Sequence, residues 1–173
     1  MDYYISEMLR IRDMVREDAQ IIYDTYFSYG WHPVLDTYVG YYEEMLQHKR
    51  KVFIAEFDGE VAGLCTLVLE PVEGPCGNQG IPEVVDLCVF FDKHNKGIGN
   101  KLLDVAEQEA SKLSDKIYLG VGLHSGYGAA QRIYVKRGYI PDGRGVWWNG
   151  KNLEQYADCT NDDELVLYLV KEL

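Results

Sequence analysis

Residues 84–103 read Val84-Val85-Asp86-Leu87-Cys88-Val89-Phe90-Phe91-Asp92-Lys93-His94-Asn95-Lys96-Gly97-Ile98-Gly99-Asn100-Lys101-Leu102-Leu103, and the fold turns on them. The opening of this stretch is a dense apolar, β-branched run of strand length, interrupted by Asp86. Further on, Ile98, Leu102, Val105, Ala106, Ala110 and Leu113 fall on one face at helical spacing. The pattern predicts a buried strand, a short polar loop holding Gly97 and Gly99, and the start of a helix. Lys93, Lys96 and Lys101 flank the glycines. Unpaired N–H groups at a helix N-terminus carry partial positive charge, and glycine lets a ligand approach the backbone. Two readings of the loop stand at this point: a site for phosphate or another anion, and a tight turn with solvated lysines. The loop is not a P-loop, which needs a Gly-Lys pair followed by Ser or Thr. Nor is it the dinucleotide fingerprint, because Leu102 stands where the third glycine belongs.

Outward from this centre, the chain reads as alternating elements. A first strand is predicted over Glu7 to Arg12. A helix follows with Ala19, Ile22, Tyr23, Tyr26 and Phe27 on one face and Gly30 as its stop. Pro33 suits the first turn of a second helix, with Leu35, Tyr38, Val39, Tyr42 and Leu46 as its apolar stripe. His48, Lys49 and Arg50 would complement the C-terminal end of its dipole. Strands over Val52 to Phe57 and Val61 to Leu69 flank Asp58-Gly59, a strong hairpin signal. Residues 71–82, rich in Pro and Gly, form a long loop of the kind that often carries function. After the central strand and helix comes a strand over 116–123. Ser125 is placed to cap a helix running to Arg137, with Ala130, Ile133 and Tyr134 inside and Gly138 as its stop. Tyr139 to Trp148 predicts a short bent strand or hairpin, and Leu165 to Val170 a final buried strand. This order gives an α/β (α+β) fold: one mixed sheet with helices on both faces, in a single domain.

A chain of 173 residues suits one domain, and 47% apolar with 13% aromatic residues is a globular composition. No apolar run approaches the roughly 18 residues that a membrane span needs, and the first residues lack the basic start and apolar block of a signal peptide. A soluble, cytoplasmic protein is the expectation. Cys65, Cys76, Cys88 and Cys159 are scattered without C-x-x-C spacing, and His32, His48, His94 and His124 show no metal-ligand pattern, so no metal is expected. A net charge of −11 argues against nucleic acid; it suits a cationic small molecule or a basic peptide as partner, and solubility alone accounts for it as well.

Two motifs resemble those of the GNAT superfamily of acetyl-coenzyme A-dependent N-acetyltransferases. One is the loop His94-Asn95-Lys96-Gly97-Ile98-Gly99 after a strand ending in Val89, similar to the family's Gln/Arg-x-x-Gly-x-Gly/Ala pyrophosphate loop. The other is Ala130-Gln131-Arg132-Ile133-Tyr134-Val135-Lys136-Arg137-Gly138-Tyr139, similar to the family's Ala-x-x-x-Tyr-x-x-x-Gly-Phe/Tyr helix. The two together, at this separation and in this element order, are specific, and the resemblance covers most of the chain. It implies a GNAT-like fold over residues 1–173 with a central, mostly antiparallel sheet.

The resemblance also implies site residues. Backbone N–H groups over Asn95, Lys96, Gly97, Ile98, Gly99 and Asn100 would hold the pyrophosphate, with His94 where the family carries Gln or Arg. The backbone of Cys88, Val89 and Phe90 would pair with the pantetheine arm and polarise the thioester carbonyl. Ala130 belongs to the same cofactor-binding helix, and Tyr127 stands where many members have Asn, to stack on the cofactor or to pack in the core. Tyr134 would protonate the departing thiolate, although an ordinary amphipathic core tyrosine would look the same. A tyrosine stays protonated at neutral pH and can give that proton, and a fixed backbone donor stabilises the oxyanion that amine attack builds.

Glu83 and Asp86 are the candidate general bases. Asp86 is the more unusual, since an unpaired carboxylate inside an apolar run is costly and demands a partner, a substrate or solvent. The family builds its acceptor site in places that hold Tyr26, Tyr29, Trp31, Tyr38, Tyr41, Tyr42, loop 71–82 and Trp147-Trp148 here; core filling explains most of these aromatic residues equally well. The acceptor would be an amine of a small molecule or peptide, with acetyl-CoA as co-substrate, no nucleic acid or membrane partner, and a homodimer by family habit. A non-catalytic coenzyme A-binding module and a nucleotide-binding protein are the competing classes.

Overall fold

A computed structural model describes residues 1–173. The Asp58-Gly59 signal is realised: Arg50–Phe57 and Glu60–Val68 (β3 and β4 below) pair antiparallel across a turn with φ +54° and +80° at those two residues. In chain order the elements are β1 (Asp2–Ile5), β2 (Leu9–Asp13), α1 (Asp18–Ser28), α2 (Leu35–Leu46), β3, β4, β5 (Glu83–Val89), α3 (Ile98–Ala110), β6 (Lys116–Gly122), α4 (Gly128–Lys136), β7 (Ile140–Trp148), β8 (Lys151–Asn152) and β9 (Leu165–Glu172). The fold is mixed α/β with a mostly antiparallel sheet and four helices. No helix is long and apolar enough to cross a membrane.

The chain divides into two compact units. The first joins Met1–Leu69 to Val85–Glu109, and the second joins Glu70–Val84 to Ala110–Leu173. In the first, β1 to β4 form an antiparallel meander in sequence order, with the body of β5 beside β4. Its core gathers Met14, Ala19, Ile22, Tyr26 and Tyr38 from the first two helices and their approach, with Val52, Ile54, Leu64 and Phe90. Arg12 forks onto the fully buried Asp18 at 2.6 and 2.9 Å and reaches Glu56 at 2.7 Å, tying β2, α1 and β3 together. In the second unit Glu83 and Val84 pair in parallel with Tyr118 and Leu119 of β6. The chain then returns through β9, which is antiparallel to both β6 and β7.

Several expectations need correction. The first strand is Leu9–Asp13 rather than Glu7 to Arg12, and a further strand, β1, precedes it. Ser6 makes the turn between them, through its amide to the Leu9 carbonyl (2.8 Å) and its hydroxyl to the Leu9 amide (3.1 Å). Pro33 lies ahead of α2 and not in its first turn, because Val34 is still extended. Phe27, Leu46 and Leu113 are exposed. Phe27 lies beside the buried Ala19–Ile22–Tyr26 stripe of α1, and Tyr29 and Met45 pack in the core instead of Phe27 and Leu46. His48, Lys49 and Arg50 lie beyond α2 rather than in its last turn, and of their side chains Arg50 reaches back into that turn, to Glu44 at 2.7 Å. His124, not Ser125, caps the entry to α4: its ring nitrogen accepts the Gly126 amide at 3.1 Å above a single 3₁₀ turn. The hairpin near Trp148 is closed by Asn149-Gly150 against β8, while β7 itself slips register against β9 between Pro141 and Val146.

One contact controls the course of β5. A Cβ placed on Gly63 of β4 would lie 2.3 Å from the Cys88 carbonyl oxygen and 2.9 Å from the Val89 Cα. Both are backbone atoms, so the strands must part. Gly63→Ala is expected to cost about 1–3 kcal/mol, the usual range for overpacking, read as a lower denaturant midpoint at unchanged slope.

Candidate active site

The first unit holds the strand and loop singled out by the sequence. Asp86 lies mid-strand with φ +37°, a left-handed backbone rare for a residue with a side chain. It is exposed, and its carboxylate accepts the hydroxyl of Tyr41 from α2. The expected partner of this strand carboxylate is therefore a tyrosine. In the sequence Tyr41 stands only among the aromatic residues of the acceptor region; the signal for its role was the acid itself, since a carboxylate in an apolar run implies a donor nearby. Burial, then Asp86, pushes the Tyr41 hydroxyl's ionisation up, while the Arg50 guanidinium 4.4 Å from its ring centroid opposes this.

Cys88, half-buried against the cluster that holds Tyr26, directs its thiol at the Val89 carbonyl (3.8 Å), and burial pushes that thiol's pKa up. Tyr26 is pushed up too, mainly by burial. Phe90 ends the strand with its amide on the Ala62 carbonyl (2.8 Å), and His94 reaches back to the Val89 carbonyl (2.8 Å). Asn95 (φ +61°) and Gly97 (φ +78°) turn the backbone sharply ahead of α3, whose Ile98 is buried while His94 through Gly97 are exposed. Open space surrounds the Gly97 Cα where a side chain would project.

The lysines around this loop are not the free basic cluster that their spacing suggested. Lys93 pairs with Glu60 at 2.6 Å and Asp92 at 3.2 Å, Lys101 with Asp104 at 2.9 Å, and Lys96 lies 4.5 Å from the Phe57 ring centroid. Attraction for an anion at this loop falls on backbone N–H groups and the N-terminus of α3. A separate cleft of about 830 Å³ runs along α1 and residues 90–93. Its carboxylates Glu17, Asp18, Glu56, Glu60 and Asp92 outnumber Arg12 and Lys93, so it is a poor place for a pyrophosphate.

The aromatic residues of the first two helices do gather. Tyr26 meets Trp31 at 4.9 Å, Tyr38 at 5.8 Å and Phe90 at 6.1 Å between ring centroids. Tyr29 stacks on Phe91 at 4.0 Å, and its hydroxyl accepts the Phe91 amide at 3.0 Å. Burial pushes Tyr38 up to about 12. Tyr42 packs only at the edge of this cluster.

The second unit holds the remaining residues. Glu83 accepts the Tyr118 hydroxyl at 2.9 Å. Tyr168, which burial pushes up to about 12, touches both Tyr118 and Trp147 with its ring. Tyr134 is buried on α4, with its ring 5.8 Å from that of Tyr139. Ala130 is half-buried on the same helix. The Tyr127 ring lies so close to Gly122 that a Cβ there would be 2.4 Å away, and its hydroxyl donates to Asp163 at 3.0 Å. His124 meets the same Asp163 oxygen at 2.9 Å, and His124, then Tyr127, holds the Asp163 carboxyl below the usual carboxylate range. His124 is thus a loop residue with a capping role. No group of three or more His, Cys, Asp or Glu side chains is placed to hold a metal ion.

Residues 16–139 match the model of the acetyltransferase (GNAT) family. Over 120 residues the chain is 27% identical to an uncharacterized N-acetyltransferase of Chlorobaculum tepidum, a match covering 69% of this chain and 66% of that protein, just under two thirds of its length. The fold is similar to that of an acetyl transferase of Salmonella typhimurium that modifies the N-terminal serine of ribosomal protein L7/L12. The TM-score is 0.74 at 10% identity, over 100% of this chain and 99% of that one. It is also similar to yncA of Salmonella typhimurium, solved with its cofactor acetyl-CoA, with TM-score 0.70 at 18% identity over 96% and 94% of the two chains.

A left-handed backbone costs a residue with a side chain roughly 1–2 kcal/mol. Gly97→Ala would meet no neighbouring atom, so its cost comes from the left-handed backbone angle alone and shows as altered loop geometry. It is expected to weaken coenzyme A binding about tenfold, the equivalent of 1.4 kcal/mol, as measured by titration calorimetry.

Proposed function

Since this chain belongs to the acetyltransferase (GNAT) family, we propose that it moves an acetyl group from acetyl-CoA to a primary amine of a small molecule or peptide by direct attack, acting as a single N-acetyltransferase domain. The observation that carries this reading is the strand–loop–helix of residues 84–103: an exposed carboxylate on β5, a sharp left-handed turn at Asn95 and Gly97, and the N-terminus of α3. Backbone N–H groups over residues 95–100 hold the pyrophosphate. The backbone of Cys88 to Phe90 receives the pantetheine arm and polarises the thioester carbonyl.

Asp86 takes the acceptor's proton, directly or through water, and so frees the nitrogen lone pair for attack. Glu83 is the second candidate for that role. Tyr134 gives a proton to the departing thiolate. Cys88 is a poor nucleophile, because desolvation raises its ionisation, which supports direct transfer without an acyl-enzyme. The surplus of carboxylates, with net charge −11, favours a cationic acceptor.

Thermal unfolding with acetyl-CoA, with ATP and NAD as controls, tests the cofactor half of this reading. At about 100 times its Kd, acetyl-CoA should add roughly 2.7 kcal/mol, and the absence of any shift would overturn it. Free thiol release with spermidine, glycinamide and a short peptide with a free amino terminus tests the transfer. Tyr134→Phe should keep the thermal shift and slow thiol release about tenfold to a hundredfold. That is at or below the low end of general acid catalysis, since a thiol needs little help to leave.

A further inference from the structure

The carboxylate read above as the base is braced from two directions. On its side-chain face, Tyr41 of α2 donates its hydroxyl to Asp86 Oδ2. The Tyr41 ring in turn carries the Arg50 guanidinium, with Cζ 4.4 Å from the ring centroid. On its backbone face, Arg50 Nη1 donates to Thr66 Oγ1 at 2.9 Å, and the fully buried Thr66 donates to the Val85 carbonyl at 3.3 Å. Val85 is the residue at which the strand enters the left-handed turn at Asp86. Glu44 completes the set, fixing Arg50 Nε at 2.7 Å. One guanidinium therefore supports both the partner of the Asp86 side chain and the peptide preceding it.

Such bracing has a physical purpose. A non-glycine residue in left-handed backbone persists only where its surroundings over-determine it. An exposed carboxylate would otherwise rotate among several rotamers. Tyr41 occupies Oδ2 and leaves Oδ1 to take a proton. The planar guanidinium can stack on a ring and hold two hydrogen bonds at once, which a lysine ammonium cannot do in the same geometry. We propose that Tyr41 and Arg50 are positioning residues for Asp86, holding its Oδ1 toward the acceptor's ammonium; this rests on the reading of Asp86 as the base. In the step they serve, an N–H bond of the ammonium breaks, an O–H bond forms at Oδ1, and the nitrogen keeps the electron pair with which it attacks.

A double-mutant cycle tests the proposal, with thiol release followed for spermidine and glycinamide. Tyr41→Phe and Arg50→Met should each lower kcat about tenfold, a part of the 10²–10⁴-fold that a placed base supplies, with KM for acetyl-CoA unchanged. Neither should cost anything further in an Asp86→Asn background. Losses that multiply in that background would overturn the positioning role while leaving Asp86 as the base. Full turnover by Asp86→Asn alone would remove the base and the proposal together. A second measurement is independent of turnover: the carboxyl ¹³C resonance of Asp86, assigned through Asp86→Asn. It should move in Tyr41→Phe and in Arg50→Met, and a resonance identical to wild type in both would sink the inference even if no tested amine reacts. A retained thermal shift with acetyl-CoA shows that each variant is folded.

Discussion

The backbone of β5 lies against Gly63 more closely than any side chain would allow, and much of the first unit follows from that approach. With the Cys88 carbonyl within 2.3 Å of where a Cβ would stand, β5 can run beside β4 only because β4 carries hydrogen there. Phe90 then closes onto Ala62, His94 folds back to Val89, and Asn95 and Gly97 set the turn into α3. The left-handed Asp86, two residues before Cys88, belongs to the same course. Backbone packing thus decides where a carboxylate, a strand edge and a helix N-terminus stand in one short stretch of chain.

Charge plays a different part from the one its sequence pattern suggested. Lys93 and Lys101 are spent on neighbouring carboxylates, and Lys96 rests on Phe57. Surface pairs of this kind contribute little to stability. They do lower the net positive charge beside the glycine loop, so oriented N–H groups are left as the main source of attraction for an anion. The carboxylates divide by environment. Asp18 is buried and fully committed to Arg12 and the Val15 amide. Asp86 is exposed and carries a single tyrosine donor. The first suits structure, and the second leaves an oxygen available for chemistry.

The aromatic residues show how similar composition serves two ends. In the first unit the rings of Tyr26, Tyr29, Trp31, Tyr38 and Phe91 touch one another in turn, and the Tyr29 hydroxyl accepts the Phe91 amide. In the second, Tyr118 donates to Glu83 while its ring meets Tyr168, which in turn meets Trp147, and burial raises the ionisation of both tyrosines. A buried tyrosine hydroxyl needs a partner, and in Tyr118 and Tyr41 that partner is a strand carboxylate.

The sequence by itself determined the element types, because period and turn chemistry are local. The alternation in β6, the helical face from Ile98 to Ala110, the Asp58-Gly59 hairpin and the Gly138 stop were all legible, as were both family motifs. Boundaries and stripe edges were less so: Phe27, Leu46 and Leu113 keep the helical period yet lie exposed, since a period records which face is apolar and not how far the neighbouring packing covers it. Local patterns also passed over β1, whose pairing depends on β2, and over the cap made by His124. Only the tertiary structure decided the partners. That Tyr41 and Asp86, 45 residues apart, share a hydrogen bond, and that Arg50 reaches Tyr41 and Thr66 together, follows from how α2, β3, β4 and β5 pack. A hydrogen bond is short and directional, so no spacing along the chain specifies it until the fold brings its two ends together.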